Sequence, residues 1–172
     1  MFTNIKNMNE LFEIELRYAY DCEKKLVEKG LPSMIEAAQS PELRTALELH
    51  LEETRGQLRR LETAFATGGL TPETKSNRIL SEIMDAAKDS AGNIESPEIR
   101  DAALIANGNM VEHYEIALYG TLVAWARQLG FDTTATLLEQ TLQEEKAADA
   151  KLTQLASSSA NVRAARAQAA RR

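Results

Sequence analysis

The tripeptide Ser-Pro-Glu occurs twice, at Ser40-Pro41-Glu42 and Ser96-Pro97-Glu98, each time at the head of a long apolar stripe. Serine as N-cap, proline at the first helical position and an acid in the first turn together mark a helix start. From the first start, Leu43, Leu47, Leu51, Leu58, Leu61 and Phe65 lead to Gly68-Gly69. From the second, Leu104, Val111, Tyr119, Leu122 and Val123 lead to Gly130. These offsets follow the helical period. Two further stripes complete the set. Asn7-Met8-Asn9-Glu10 reads as a capping box ahead of Met8, Leu11, Phe12, Leu16, Ala19, Cys22 and Leu26. That helix is expected to end or kink at Gly30-Leu31-Pro32. A last helix begins near Asp132 and carries Leu138, Leu142, Leu152 and Leu155.

Four long helices leave one long link, residues 67 to 96, which holds the amphipathic stretch Ile79, Leu80, Ile83, Met84 and Ala87. The other links are short. The predicted fold is therefore all-α: a ferritin-like four-helix bundle over residues 1–156, in which two antiparallel hairpins are joined by a long crossover with a short helix. Composition agrees. The chain has 172 residues, 44% apolar and 27% charged, with 8 Gly and 4 Pro, a globular and turn-poor balance. No apolar run approaches the roughly 20 residues that span a bilayer, and MFTNIKNMNELFEIEL lacks the order of a signal peptide. A single cysteine, Cys22, fits a reducing compartment, so a cytoplasmic protein without a membrane partner is expected.

The net charge of −6 is unevenly spread. Residues 157–172 hold Arg163, Arg166, Arg171 and Arg172 and no acid, leaving 16 basic against 26 acidic residues ahead of them. An acidic body is a poor partner for a phosphate backbone, so no nucleic acid is expected there. The basic tail reads as a frayed, solvated extension whose partner the sequence leaves undetermined.

The residues that point to chemistry are acids inside the apolar stripes. Glu23 sits among Ala19, Cys22 and Leu26; Glu53 follows His50 and precedes Gln57; Glu112 and Glu115 lie between Gly108 and Tyr119; Glu145 and Asp149 lie between Leu142 and Leu152. Offsets of three and four turn them toward the bundle interior. The spacing also repeats, since Glu23 to Glu53 and Glu115 to Glu145 are both 30 residues. An internal repeat would bring four acids to one depth. Bare carboxylates cannot share a dry interior unless they are protonated, paired or bound to metal, and hard oxygen ligands favour iron or manganese. The alternative for each acid is rotation outward to solvent, as expected for Glu15, Glu48, Glu52 and Glu144. His50 is either a ligand or a hydrogen-bonded imidazole at the core edge; His113 and the tyrosines read as structural and packing residues, and Cys22 as an inert buried thiol.

The segments Tyr20–Leu26, His50–Gln57, Arg100–Ala106, Glu112–Ala117 and Glu144–Asp149 resemble the YciE/YciF-like stress-protein family of the ferritin-like superfamily, over about residues 5 to 156. The resemblance implies a ferritin-like bundle, a homodimer and a role in stress. A looser likeness to rubrerythrin-type di-iron proteins departs at one place. Those proteins follow a ligand Glu by His or Glu three residues on, where this chain has Gly56 and Ala148, with Gln57 and Asp149 one position further. The implied centre holds two iron or manganese ions per chain, with Glu23 and Glu115 as terminal ligands, Glu53 and Glu145 as bridges, and Glu112, Asp149 and His50 completing the shells. Such a centre would act on peroxide or oxygen. The competing expectation is a non-catalytic stress protein that works by dimerisation and partner association, with metal absent or structural.

Overall fold

The computed structural model describes residues 4–169, which are helical apart from short connections, with no strand among the described residues. Helix α1 (Met8–Lys25) starts at Asn7, whose side chain accepts from Glu10 N at 2.9 Å, while its amide donates to Glu10 Oε1 at 2.9 Å. A π turn at Leu26–Gly30 passes directly into α2 (Leu31–Ala37) with right-handed helical backbone at both joins. The wide turn falls where the ring and missing N–H of Pro32 would break an α-helical ladder. Helix α3 (Pro41–Thr67) begins at Ser40, whose Oγ accepts from Leu43 N at 3.1 Å. The crossover carries α4 (Arg78–Gly92), and α5 (Pro97–Gln128) is joined to α6 (Asp132–Leu155) by a tight turn. Gly130 in that turn has φ 75°, the left-handed region in which a side chain is strained.

Helix α1 lies beside α3 and α5, and α6 lies beside the same two, so α1 and α6 occupy one diagonal of a four-helix bundle and α3 and α5 the other. This is the ferritin-like all-α bundle the stripes predict. The crossover is fastened by Asn77. Its Oδ1 caps α4 at Leu80 N (3.0 Å), and its Nδ2 donates to Tyr18 O (3.2 Å) on α1 and to the Tyr114 hydroxyl (2.7 Å) on α5. Asp21 accepts from Asn77 N at 2.8 Å and pairs with Lys25 at 2.6 Å.

The core is two apolar clusters with a polar layer between them. One end packs Phe12, Leu16, Leu61, Phe65, Leu122 and Leu138; the other packs Leu26, Leu43, Leu47, Leu104 and Leu152. All four long helices change from apolar to polar at the same level, at Glu23, at His50 to Gln57, at Glu112 and Glu115, and at Glu145.

The basic tail differs from its expectation as a frayed extension. After a second π turn at Ala156–Ala160, α7 (Asn161–Ala169) packs on α5, with Ala160 buried in the second apolar cluster. Arg163 lies 3.6 Å from Asp101 Oδ2, a buried carboxylate that also accepts from Gln39 N (2.8 Å) and Ser40 N (2.9 Å). Charge alone concealed the helix-forming alanines of this segment. Arg171 and Arg172 lie outside the described residues. No helix among the described residues is long and apolar enough to cross a membrane.

Candidate metal centre

Five of the expected residues meet in the polar layer. Glu23, Glu112, Glu115 and Glu145 are all at most 3% exposed, and His50 is 7% exposed. They form two groups of three, His50–Glu112–Glu145 and Glu23–Glu115–Glu145, and within each the ligand atoms lie within 4.8 Å of one another. Glu145 belongs to both. It sits at the centre of the inward stripe of α6, whereas the other four come from the three surrounding helices.

Two expected residues are not brought in. Glu53 stands roughly 80° from the axis of the α3 stripe at 100° per residue, and its side chain is 52% exposed. The inward places on α3 fall instead to His50, Thr54 and Gln57. The equal 30-residue spacings therefore match along the chain but not in rotation: the first runs through a π turn and α2, the second through one tight turn. Asp149 faces Asn109, whose Nδ2 donates to its Oδ1 at 2.5 Å, and His113 lies 3.4 Å away. Glu53 does approach the site from outside, with Oε2 3.6 Å from His50 Nδ1.

The layer is electrostatically unbalanced. Burial pushes the Glu23 carboxyl up to about 7, against the lowering effects of the Tyr119 hydrogen bond and of His50. Burial also raises Glu115 and Glu145 well above the carboxylate range, and Glu23 adds to both shifts by repulsion. Burial alone would lower the His50 imidazole, but the carboxylates of Glu112 and Glu53 reverse this and raise it well above its ordinary value. His50 Nε2 is 3.2 Å from Glu112 Oε1.

Nine buried side-chain atoms among the described residues have no hydrogen-bond partner, and seven of them are here: Glu23 Oε2, His50 Nδ1, Gln57 Oε1, Glu112 Oε2, Glu115 Oε2 and both Glu145 oxygens. Natural cores leave few such atoms, because each costs about 1–3 kcal/mol or more. Four carboxylates carry the charge that two divalent cations would neutralise, and an oxygen-rich set with one imidazole suits iron or manganese. The donor set fits a pair of such ions.

Neighbouring side chains also border the layer, among them Tyr119, Cys22 and Glu144, expected as packing, inert and surface residues. Tyr119, fully buried four residues after Glu115, donates its hydroxyl to Glu23 Oε1. Cys22 Sγ lies 3.5 Å from Glu115 Oε1, and burial with the adjacent carboxylates pushes its thiol well up, so it stays protonated. Gln57 donates to Glu144 at 3.2 Å, Arg60 pairs with the same carboxylate, and Arg60 Nε donates to Thr141 at 3.1 Å. Glu144 is thus half-buried rather than free in solvent.

Known proteins share this frame. The family described as "Domain of unknown function (DUF892)" matches residues 7–165. Protein YciF of Escherichia coli K12 is 39% identical over 162 residues, covering 94% of this chain and 97% of its own. The crystal structure of that stress protein matches with a TM-score of 0.84 at 39% identity, covering 88% of this chain and 96% of that one. YcfI of Rhodopseudomonas palustris, described as a candidate structural protein, matches with a TM-score of 0.86 at 41% identity over 89% of this chain and 98% of its own. A Xanthomonas campestris protein, 24% identical with a TM-score of 0.72, covering 94% of this chain and 99% of its own, shares the fold.

Proposed function

The chain belongs to the DUF892 family of YciF-like proteins, and from that membership and its polar layer we propose a ferritin-like stress-response protein that holds two iron or manganese ions and acts on peroxide or oxygen. The observation that carries this reading is the convergence of unpartnered donor atoms on Glu145 from both three-residue groups. His50 and Glu112 would hold one ion, Glu23 and Glu115 the other, and Glu145 would bridge them. Bound there, the pair would supply one-electron steps to a small oxidant.

The chain's own residues supply the rest. Apolar clusters above and below exclude water from the layer, which strengthens every charge interaction within it. Tyr119 fixes the Glu23 carboxylate and keeps a hydroxyl proton beside it. Glu53 faces the outer nitrogen of His50 and would orient the ring, the usual task of a carboxylate behind a ligand histidine. Cys22, with Sγ 3.5 Å from Glu115 Oε1, would donate to that carboxylate.

Elemental analysis of protein prepared without chelators and supplied with iron or manganese tests the proposal. The expected content is about two ions per chain; a content near zero contradicts it. That second outcome would favour a protein that works by association, the reading for which the description of the related YcfI speaks.

A further inference from the structure

Beside His50 the seam between α3 and α6 opens into a cavity of about 220 Å³. One side of the same seam is closed, because Arg60 pairs with Glu144 while Gln57 and Thr141 bond to the same two side chains. Further along, Ala46 on α3 and Ala147 and Ala148 on α6 line the cavity with short side chains. Leu47, Leu49 and Leu152 complete walls that are predominantly apolar. His50 and Glu112 form the polar floor, and Glu53 and Lys151 are the charged residues at the opening.

Size and lining select the occupant. A dry cavity of about 150 Å³ holds a benzene-sized molecule, so this one is larger than dioxygen or hydrogen peroxide requires. Walls of alanine and leucine offer such small polar molecules no hydrogen bond, but they favour a carbon body at about 25 cal/mol for each Å² taken from water. The polar groups lie at the floor, His50 and Glu112, and at the mouth, Glu53 and Lys151, with apolar walls between them. The fitting molecule is uncharged, with a compact aliphatic or aryl body and one oxygen-bearing head. We infer that this cavity is the substrate pocket of the centre and takes a small organic hydroperoxide, its body against the α3 and α6 walls and its head at His50 and Glu112. The inference rests on the two-ion reading above and adds the side of approach: the substrate reaches the His50 ion, not the deeper Glu23 ion.

The test uses full-length protein loaded with manganese and 2-phenyl-2-propanol, an unreactive alcohol with the body of cumene hydroperoxide. Bound manganese should shorten the proton relaxation times of the alcohol. Ala148→Leu and Ala46→Leu each add a branched side chain to one wall at a half-buried position, so both should fold with unchanged manganese content. In both variants the relaxation effect should fall roughly tenfold or more, corresponding to about 1.4 kcal/mol of affinity. An effect equal to that of the wild type in both variants, or none with the loaded wild type, overturns the pocket. A wild type that takes up no manganese overturns the two-ion reading instead. The pocket is then judged by saturation transfer from the metal-free protein to the alcohol: transfer lost in both variants upholds the binding site, and absence of transfer in the wild type overturns it.

Discussion

His50 Nε2 on α3 lies 3.2 Å from Glu112 Oε1 on α5, a contact made across the bundle diagonal. The imidazole thereby turns one nitrogen to the buried layer and the other to Glu53, whose Oε2 is 3.6 Å from Nδ1 and whose side chain is half in solvent. The two carboxylates beside this histidine hold different positions, one inside the layer and one behind the ring.

That division can be tested with two substitutions. His50→Ala should lower the content from two ions to one, since Glu23, Glu115 and Glu145 still form a group of three without it. Glu53→Gln should retain both ions with affinity lowered by about tenfold, the usual cost of disturbing the residue behind a ligand. Titration with manganese followed by elemental analysis reads both. Loss of an ion from Glu53→Gln as complete as that from His50→Ala would make Glu53 a ligand.

Metal-free protein should be less stable at pH 8 than at pH 5.5. Glu23 has a folded value of about 7 against an unfolded value of 4.5, so the folded state binds the extra proton. Its contribution is fully present below the unfolded value and is lost as pH rises through about 7. Glu115, Glu145 and His50 are raised as well and act in the same direction. Glu53, lowered chiefly by His50, gains its contribution as pH rises through its unfolded value of 4.5 and adds no slope between pH 5.5 and 8. Differential scanning calorimetry should show the melting temperature falling by about 5 °C or more over this range. A melting temperature that rises with pH contradicts the account.

Tyr119→Phe should destabilise the metal-free protein by about 1–3 kcal/mol, because it leaves Glu23 Oε1 buried without its donor. Chemical unfolding of the metal-free variant measures this. Loss of the hydroxyl also removes an influence that lowers Glu23, so the pH at which stability is lost should move higher. An unchanged transition would show that the hydroxyl does not support the carboxylate.

The resemblance to YciE/YciF-like proteins implies a homodimer. Analytical ultracentrifugation should report a species of twice the chain mass; a monomer at high protein concentration contradicts it.

Helix starts and stripes were the legible part of this fold. Asn7 and Ser40 cap the predicted starts with side-chain hydrogen bonds, because capping is a local event, while Ser96 is the N-cap of α5 without such a bond and Asp132 is the first residue of α6. Glu23, Glu112, Glu115 and Glu145 were legible as buried acids because each lies within an apolar stripe of its own helix. Glu53 was not. Thr54 stands seven residues from both Leu47 and Leu61, which keeps it on their stripe, whereas the same 100° step leaves Glu53 about 80° off, an offset that the equal 30-residue spacings conceal. The π turns at Leu26–Gly30 and Ala156–Ala160 left no mark in the apolar period. Docking of α7 depends on Asp101 and Arg163, residues far apart along the chain.

Glu145 alone belongs to both groups of the layer, so the Glu145→Gln variant tests the central claim most directly. Wild-type and variant protein, each stripped of metal and dialysed against manganese, should be compared by elemental analysis and thermal melting. The wild type should hold about two ions per chain and melt higher when loaded, since an ion bound only by the folded state stabilises it by mass action. The variant should hold none and gain no stability from manganese. Without metal it should melt no lower than the metal-free wild type, because a neutral amide relieves repulsion among the buried acids. Equal manganese content in the two proteins, with equal stabilisation, would contradict a two-ion centre bridged by Glu145.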